Sequence, residues 1–216
     1  MPTVRLAMFD CDGTLVDSQA NICRAMEAAF DRSALAPPPR TAIRRIVGLS
    51  LVEAMRILAP DADHHRLATD YKTIFRSLRE EGGLDDEPLF DGVAEVIEAL
   101  ADSGWTLGVA TGKSDRGLAH ILARHRLTDC FATLQTADRH PSKPDPAMLL
   151  AGMAETGAAA DSTAMIGDTS FDMAMARAAG ARAIGVAWGY HSVDDLVEGG
   201  AQVVAVDPRD LPGLLA

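Results

Sequence analysis

The sequence predicts an α/β fold: a parallel sheet with helices on both faces, and an all-helical module inserted after the first strand. Two observations predict the sheet and a third the insertion. Short apolar runs recur at 4–9, 106–110, 164–166, 183–186 and 203–206, the first ending at Asp10 and followed by the turn residues Asp12-Gly13-Thr14. Between them, 93–103, 116–125, 146–155 and 171–179 carry apolar residues at three-to-four spacing, and strands alternating with helices in this way form parallel sheets covered on both faces. From 18 to 86 the alternation stops. Helical patterns alone occupy 20–32, 40–46, 51–58 and 64–81, with Ala36-Pro37-Pro38-Pro39 as a rigid joint between the first two. The predicted division is a core of 1–17 and 87–216 and a helical cap of 18–86, hinged near 15–18 and 82–88, where Gly82-Gly83 and Pro88 punctuate the return to the sheet.

Each apolar run is short enough for a strand buried on both faces, and each helical pattern presents one apolar stripe to it. At 216 residues with 48 % apolar and 24 % charged side chains, the chain can bury a core of this kind. Its formal net charge of -11 repels phosphate backbones and anionic lipid, which argues against nucleic acid and membrane as partners. A small anionic substrate is still admissible, because a metal ion and a few local cations can reverse the field within one cleft. Cys11, Cys23 and Cys130 have no metal or disulfide spacing, and Cys11 reads as a small buried filler. The chain starts in a strand-like run without the features of a signal peptide, and no run approaches the length of a membrane span, so a cytoplasmic location is expected.

Four strand-end segments could carry chemistry. Asp10-Cys11-Asp12-Gly13-Thr14 places two carboxylates on one turn at the carboxyl end of the first strand, where open parallel sheets bind ligands. Gly167-Asp168-Thr169-Ser170-Phe171-Asp172 follows a later strand on the same sheet edge. Carboxylates gathered there repel one another and take up protons unless a cation compensates, and a hard, oxygen-preferring ion such as Mg²⁺ suits them. Thr111-Gly112-Lys113 offers a hydroxyl and free amides, an anion cradle. Lys143, held extended by Pro144, can point an ammonium at a fixed spot. Taken singly, each has a plain structural alternative: turn capping for Asp10 or Asp12, helix capping for Asp172, turn chemistry for Thr111-Gly112 and a solvated surface for Lys143.

The ordered set Asp10-x-Asp12-Gly13-Thr14, Thr111, Lys143-Pro144 and Gly167-Asp168-x-x-x-Asp172 resembles the four motifs of the haloacid dehalogenase-like hydrolase superfamily, and the helical insertion resembles the small cap of its phosphoglycolate-phosphatase-like branch. The resemblance spans essentially the whole chain and implies a Rossmann-like core. It also implies a Mg²⁺-dependent phosphatase in which Asp10 forms an aspartyl-phosphate and Asp12 protonates the leaving group, then activates water. Thr111 would hold phosphoryl oxygens and Lys143 would neutralise charge around Asp10. Asp10, Asp168 and the Asp12 backbone carbonyl would ligate Mg²⁺, with Asp172 at or just behind the ligand shell. These parts suffice for in-line displacement at phosphorus, which needs a placed nucleophile, charge neutralisation and a proton for the departing oxygen.

Related dehalogenases resemble this core but lack the second aspartate, so Asp12 argues for phosphoryl transfer. An intramolecular sugar-phosphate mutase shares the core and differs in the cap; a receiver-like phospho-acceptor or a non-catalytic scaffold would not call for the inserted helices or the full set of catalytic residue types. Substrate choice is assigned to the cap, with Arg44, Arg45 and Lys72 as anion-binding candidates against the alternative of a solvated helix face. Arg45, together with Thr111, Gly112 and Lys113, completes the predicted substrate-binding set. A small phosphorylated metabolite is expected, phosphoglycolate first by resemblance, with oligomeric state open. His120, His125, His140 and His191 have no metal spacing, and Trp188-Gly189-Tyr190-His191 reads either as an edge of the active-site mouth or as a packing staple.

Overall fold

Leu6–Phe9 forms the first strand, β1, and all four residues are buried because the strand is sandwiched on both faces. Ala7 and Phe9 join one apolar cluster while Leu6 and Met8 join another, the period-two alternation expected of a strand. The computed structural model describes residues 3–216; the first two residues of the predicted core lie outside them. Around β1, the strands β2 (Thr106–Thr111), β3 (Thr133–Thr136), β4 (Thr163–Gly167), β5 (Arg182–Val186) and β6 (Val203–Ala205) complete a sheet in the order β3-β2-β1-β4-β5-β6. Every pairing is parallel. The fold is the expected α/β, Rossmann-like one, with one addition.

That addition is β3, which the apolar-run pattern did not predict. Its sequence Thr-Leu-Gln-Thr carries one aliphatic residue in four, so hydrophobic periodicity is silent there. The polar side chains are satisfied in place: Gln135 Nε2 donates to Thr133 Oγ1 at 2.7 Å and to Glu155 at 2.8 Å, and Thr136 Oγ1 donates to Asp115 at 2.7 Å.

Helices α5 (Val93–Asp102), α6 (Asp115–Arg124) and α10 (Leu211–Leu215) cover the face bearing Ala7 and Phe9. Helices α7 (Ala147–Thr156), α8 (Ser170–Ala178) and α9 (Val193–Gly199) cover the face bearing Leu6 and Met8. Between β1 and α5 the chain makes only helices: α1 (Gln19–Arg32), α2 (Arg40–Ile46), α3 (Leu51–Leu58) and α4 (His64–Glu80). They close on a cluster of their own, in which Ile22, Met26 and Phe30 of α1 meet Ile43, Met55 and Leu67. The outgoing and returning chains run side by side, Asp17 N donating to Pro88 O at 2.9 Å and Phe90 N to Leu15 O at 3.0 Å, an antiparallel ribbon at the predicted hinge.

The strand order reverses direction between β1 and β4. Connections from β1 run outward through β2 to β3 and then return to β4 on the other side, and the crevice at such a switch point is where open sheets bind ligands.

Candidate active site

Asp10 and Asp168 leave the carboxyl ends of β1 and β4, the two strands that flank the switch point. The Asp10 amide still donates to Ile166 O at 2.9 Å, so its backbone is held by the sheet while its side chain is free to face the crevice. Asp172 arrives from the first turn of α8, where Thr169 and Asp172 form a reciprocal capping box: Asp172 Oδ2 accepts from Thr169 N at 3.1 Å and from Thr169 Oγ1 at 2.7 Å. Carboxylate oxygens of Asp10, Asp168 and Asp172 lie within 4.8 Å of one another. Lys143, from the loop between β3 and α7, donates to Asp172 Oδ1 at 2.6 Å and lies 2.9 Å from Asp10 Oδ1. Three carboxylates and one ammonium are thus enclosed together, none more than 1 % exposed.

Such a group is not at electrostatic rest. Burial first, then the neighbouring Asp172, pushes the Asp10 carboxyl up to about 7 despite Lys143 beside it. Burial, reinforced by Asp10 and Asp172, likewise raises Asp168, against the hydrogen bonds it accepts from Tyr190 N at 2.9 Å and Thr14 Oγ1 at 3.0 Å. Burial opposes the charge on Lys143 too, but Asp10 and Asp172 outweigh it and keep the ammonium protonated. Apart from the Lys143 ammonium, no donor reaches either oxygen of Asp10 among the described residues. Surplus negative charge and a buried carboxylate with an unanswered oxygen are what a hard cation would relieve, so the donor set fits Mg²⁺. Asp10 has most of its lone pairs to offer and Asp168 accepts one hydrogen bond at each oxygen, whereas Asp172 is engaged by Lys143 at one oxygen and twice by Thr169 at the other.

Asp12 faces the other way. Its Oδ1 pairs with Lys113 Nζ at 2.7 Å and accepts a hydrogen bond from Ser18 Oγ, which turns its side chain toward the helical insertion and away from the other three carboxylates. Burial opposes the Lys113 charge, and Asp12 more than offsets that. Gly13 between them has φ +86°, and a Cβ there would stand 2.2 Å from Asp168 Oδ2, so only glycine lets the turn pass this close to the second aspartate. Thr111 ends β2 buried, its Oγ1 accepting from Lys113 N at 3.2 Å. Beside it Gly112 lies under the insertion: a Cβ would be 2.5 Å from Leu49 O and 2.7 Å from Gly48 O.

The structure brings Asp10, Asp12, Thr111, Gly112, Lys113, Lys143, Asp168 and Asp172 to one sheet edge. It does not bring Arg45 there: the Arg45 guanidinium is 72 % exposed and lies 3.3 Å from Asp195 on the outer surface. Arg44 sits over the Tyr190 ring at 6.0 Å, and Lys72 lines the cleft with its ammonium 3.8 Å from Asp138. Residues the motifs did not single out also serve the site. Trp188 Nε1 donates to Thr14 O at 3.1 Å, and Ser18 N donates to Tyr190 Oη at 3.2 Å, so the loop 188–191 braces both acid-bearing turns and the hinge. The Trp-Gly-Tyr-His run was open to two readings, mouth or staple, and these contacts make it a staple.

Two further contacts hold the insertion on the core. Ser50 N donates to Ser142 Oγ at 2.8 Å, and His191 bridges from Ser170 N, which donates to its Nδ1 at 3.1 Å, to Arg45 O, 3.2 Å from its Nε2. Those backbone partners select neutral imidazole with the proton on Nε2, and burial lowers the His191 pKa accordingly. His125 and His140 meet Glu87 O at 2.8 Å and Gln135 Oε1 at 2.7 Å, satisfied structural histidines as expected. Cys11 is buried, and burial pushes its thiol well up, as suits a filler.

Residues 7–186 match the family model of the haloacid dehalogenase-like hydrolases, a span that holds every motif residue from Asp10 to Asp172. The chain belongs to that family. It is 39 % identical over 207 residues to a protein of Dickeya dadantii named "Probable phosphatase IndB", covering 92 % of this chain and 88 % of that one. It is 29 % identical over 212 residues to phosphoglycolate phosphatase 1 of Pseudomonas aeruginosa, covering 96 % and 78 %. A hydrolase from Pseudomonas syringae superposes with a TM-score of 0.85 at 27 % identity, covering 98 % and 97 % of the two chains. Family and relatives agree with the site: the protein is an enzyme, a hydrolase of phosphate esters.

Proposed function

We propose that this protein is a Mg²⁺-dependent phosphatase of a small phosphorylated metabolite, working in the cytoplasm, with Asp10 as the nucleophile. The observation that carries this reading is the state of Asp10: fully buried at a sheet switch point, with the Lys143 ammonium 2.9 Å from Oδ1 and no other donor reaching either oxygen among the described residues. A buried carboxylate that only supported structure would have its second oxygen answered as well.

In this reading an Asp10 oxygen attacks phosphorus in line with the ester oxygen, the new O–P bond forming as the ester P–O bond breaks. Asp12 gives its proton to the departing alkoxide, then takes one from the water that hydrolyses the aspartyl-phosphate and frees Asp10. Thr111 Oγ1 and the amides of Gly112 and Lys113 hold phosphoryl oxygens. Lys143 offsets their charge and keeps Asp10 and Asp172 in one place. Asp10, Asp168 and the Asp12 carbonyl would hold Mg²⁺, which supplies charge neutralisation at a phosphoryl oxygen. Asp172, engaged three times by Lys143 and Thr169, orients rather than ligates in this reading. The helices α1–α4 act as a cap that closes over the substrate and excludes water. Phosphoglycolate leads among candidate substrates on the strength of relatives with that name. Phosphate release across a panel of phosphorylated metabolites tests the reading: it is expected to require Mg²⁺ and to vanish in Asp10→Asn, and metal-independent release or an active variant would refute it.

A further inference from the structure

The cap and the start of α6 flank a cleft of about 510 Å³ that Asp12 and Lys113 also line, so it reaches the Asp12 side of the site. That volume is in the range of ~300–1,000 Å³ that accommodates ligands much larger than a two-carbon acid. Its lining is strongly charged in one sense. Lys72, Arg76 and Arg79 project from one face of α4 at i, i+4 and i+7, and Lys113 and Arg116 stand on the core side. Lys113 is committed to Asp12 and Lys72 lies near Asp138. Among the described residues, Arg76, Arg79 and Arg116 have neither an ion-pair partner nor a hydrogen-bond acceptor, although the chain carries 31 acids against 20 lysines and arginines. The Arg79 guanidinium carbon stands over Phe75, 5.1 Å from the ring centroid, a cation–π contact that favours one placement. Like charges three and four residues apart destabilise a helix, so the stripe asks for an anion to offset it.

We propose that the substrate carries a second anionic group, a carboxylate or another phosphate, set well away from the phosphoryl group that reacts and received by Arg76, Arg79 and Arg116. This rests on the phosphatase reading and narrows its substrate class. Seven residues of α4 separate Lys72 from Arg79, a rise of ~10 Å along the helix. The phosphorus and carboxyl carbon of phosphoglycolate are three bonds apart, about the ~3.8 Å between consecutive Cα atoms. A molecule that short covers well under half of that rise, so a single two-carbon acid cannot answer both ends of the stripe. The natural substrate is therefore longer, with apolar or aromatic-compatible atoms between its two charged ends, where Met26, Leu49 and Tyr71 line the cleft.

Two matched series test this: ω-carboxyalkyl phosphates of increasing chain length, and uncharged alkyl phosphates of the same lengths. The ratio of kcat/KM between matched members is expected to climb with length to about tenfold or more, as a charge-assisted hydrogen bond warrants. It should fall back toward one in Arg79→Ala and in Arg116→Ala, and be partly kept in Arg79→Lys. A ratio that is flat, that peaks at phosphoglycolate, or that survives in both alanine variants overturns the inference while leaving the phosphatase reading intact. If the folded wild-type protein turns over no member of either series with Mg²⁺, both readings fall together.

Discussion

Lys143 is the residue on which the buried charges balance. It is 1 % exposed with its ammonium between Asp10 and Asp172, and the chain gives it that place because Pro144 keeps its backbone out of a helix. Replacing it with Met keeps most of the volume and removes the charge. Two carboxylates then face each other without a counter-ion, a change that costs about 3–5 kcal/mol when one partner of a buried pair is lost. Urea unfolding without divalent metal is expected to show a deficit of that order for Lys143→Met, and added Mg²⁺ should shrink it; a variant as stable as wild type in metal-free buffer would contradict the charge arrangement. At this scale the sequence was informative about identity and less so about partners. Asp10, Lys143 and Asp168 were legible from strand-end position, but the pairing of Asp12 with Lys113 and Ser18 was not, because it depends on where a loop and a helix from elsewhere meet.

Among the elements, the inserted helices come close to the core where the loop 48–49 passes over Gly112. Backbone carbonyls stand within 3 Å of where a Gly112 Cβ would be, and carbonyls on a packed loop cannot swing aside as a flexible side chain can. Gly112→Ala is therefore expected to hold the cap open without disturbing the sheet beneath. Displacement of this kind loosens the substrate's placement, so kcat/KM should fall ~10–100-fold while the unfolding midpoint moves little; unchanged kcat/KM would mean that the closed cap is not the working state. The element scale also shows why sequence periodicity found some strands and not others. β1 is apolar throughout and β4 is so after its first residue, Thr163, because both faces are covered, whereas β3 buries Thr133, Gln135 and Thr136 by giving them Glu155 and Asp115 as partners. Pairings between residues about twenty apart leave no mark in a hydrophobic pattern. The helical insertion was plain for the opposite reason, since the interruption of alternation is itself a local signal.

Over the whole molecule, an acidic chain with net charge -11 concentrates three acids at its switch point and five cations in the adjoining cleft. The acid cluster ties folding to metal: Mg²⁺ bound only by the folded protein should stabilise it by about 2.7 kcal/mol at a hundredfold excess over Kd. Denaturant midpoints that rise with Mg²⁺ and not with an equal ionic strength of NaCl would bear this out, and identical responses would count against a site at Asp10 and Asp168. The cleft could not be read from the sequence, because Arg76, Arg79 and Arg116 lie on two elements that only tertiary packing makes face each other. The central claim remains that Asp10 becomes covalently phosphorylated. Rapid acid quench during turnover with Mg²⁺, followed by peptide mapping by mass spectrometry, addresses it directly: the account predicts a phosphoryl group on the peptide bearing Asp10, at that residue, absent in Asp10→Asn. Turnover with no phosphorylated peptide at any quench time, or with the label on another residue, would contradict it.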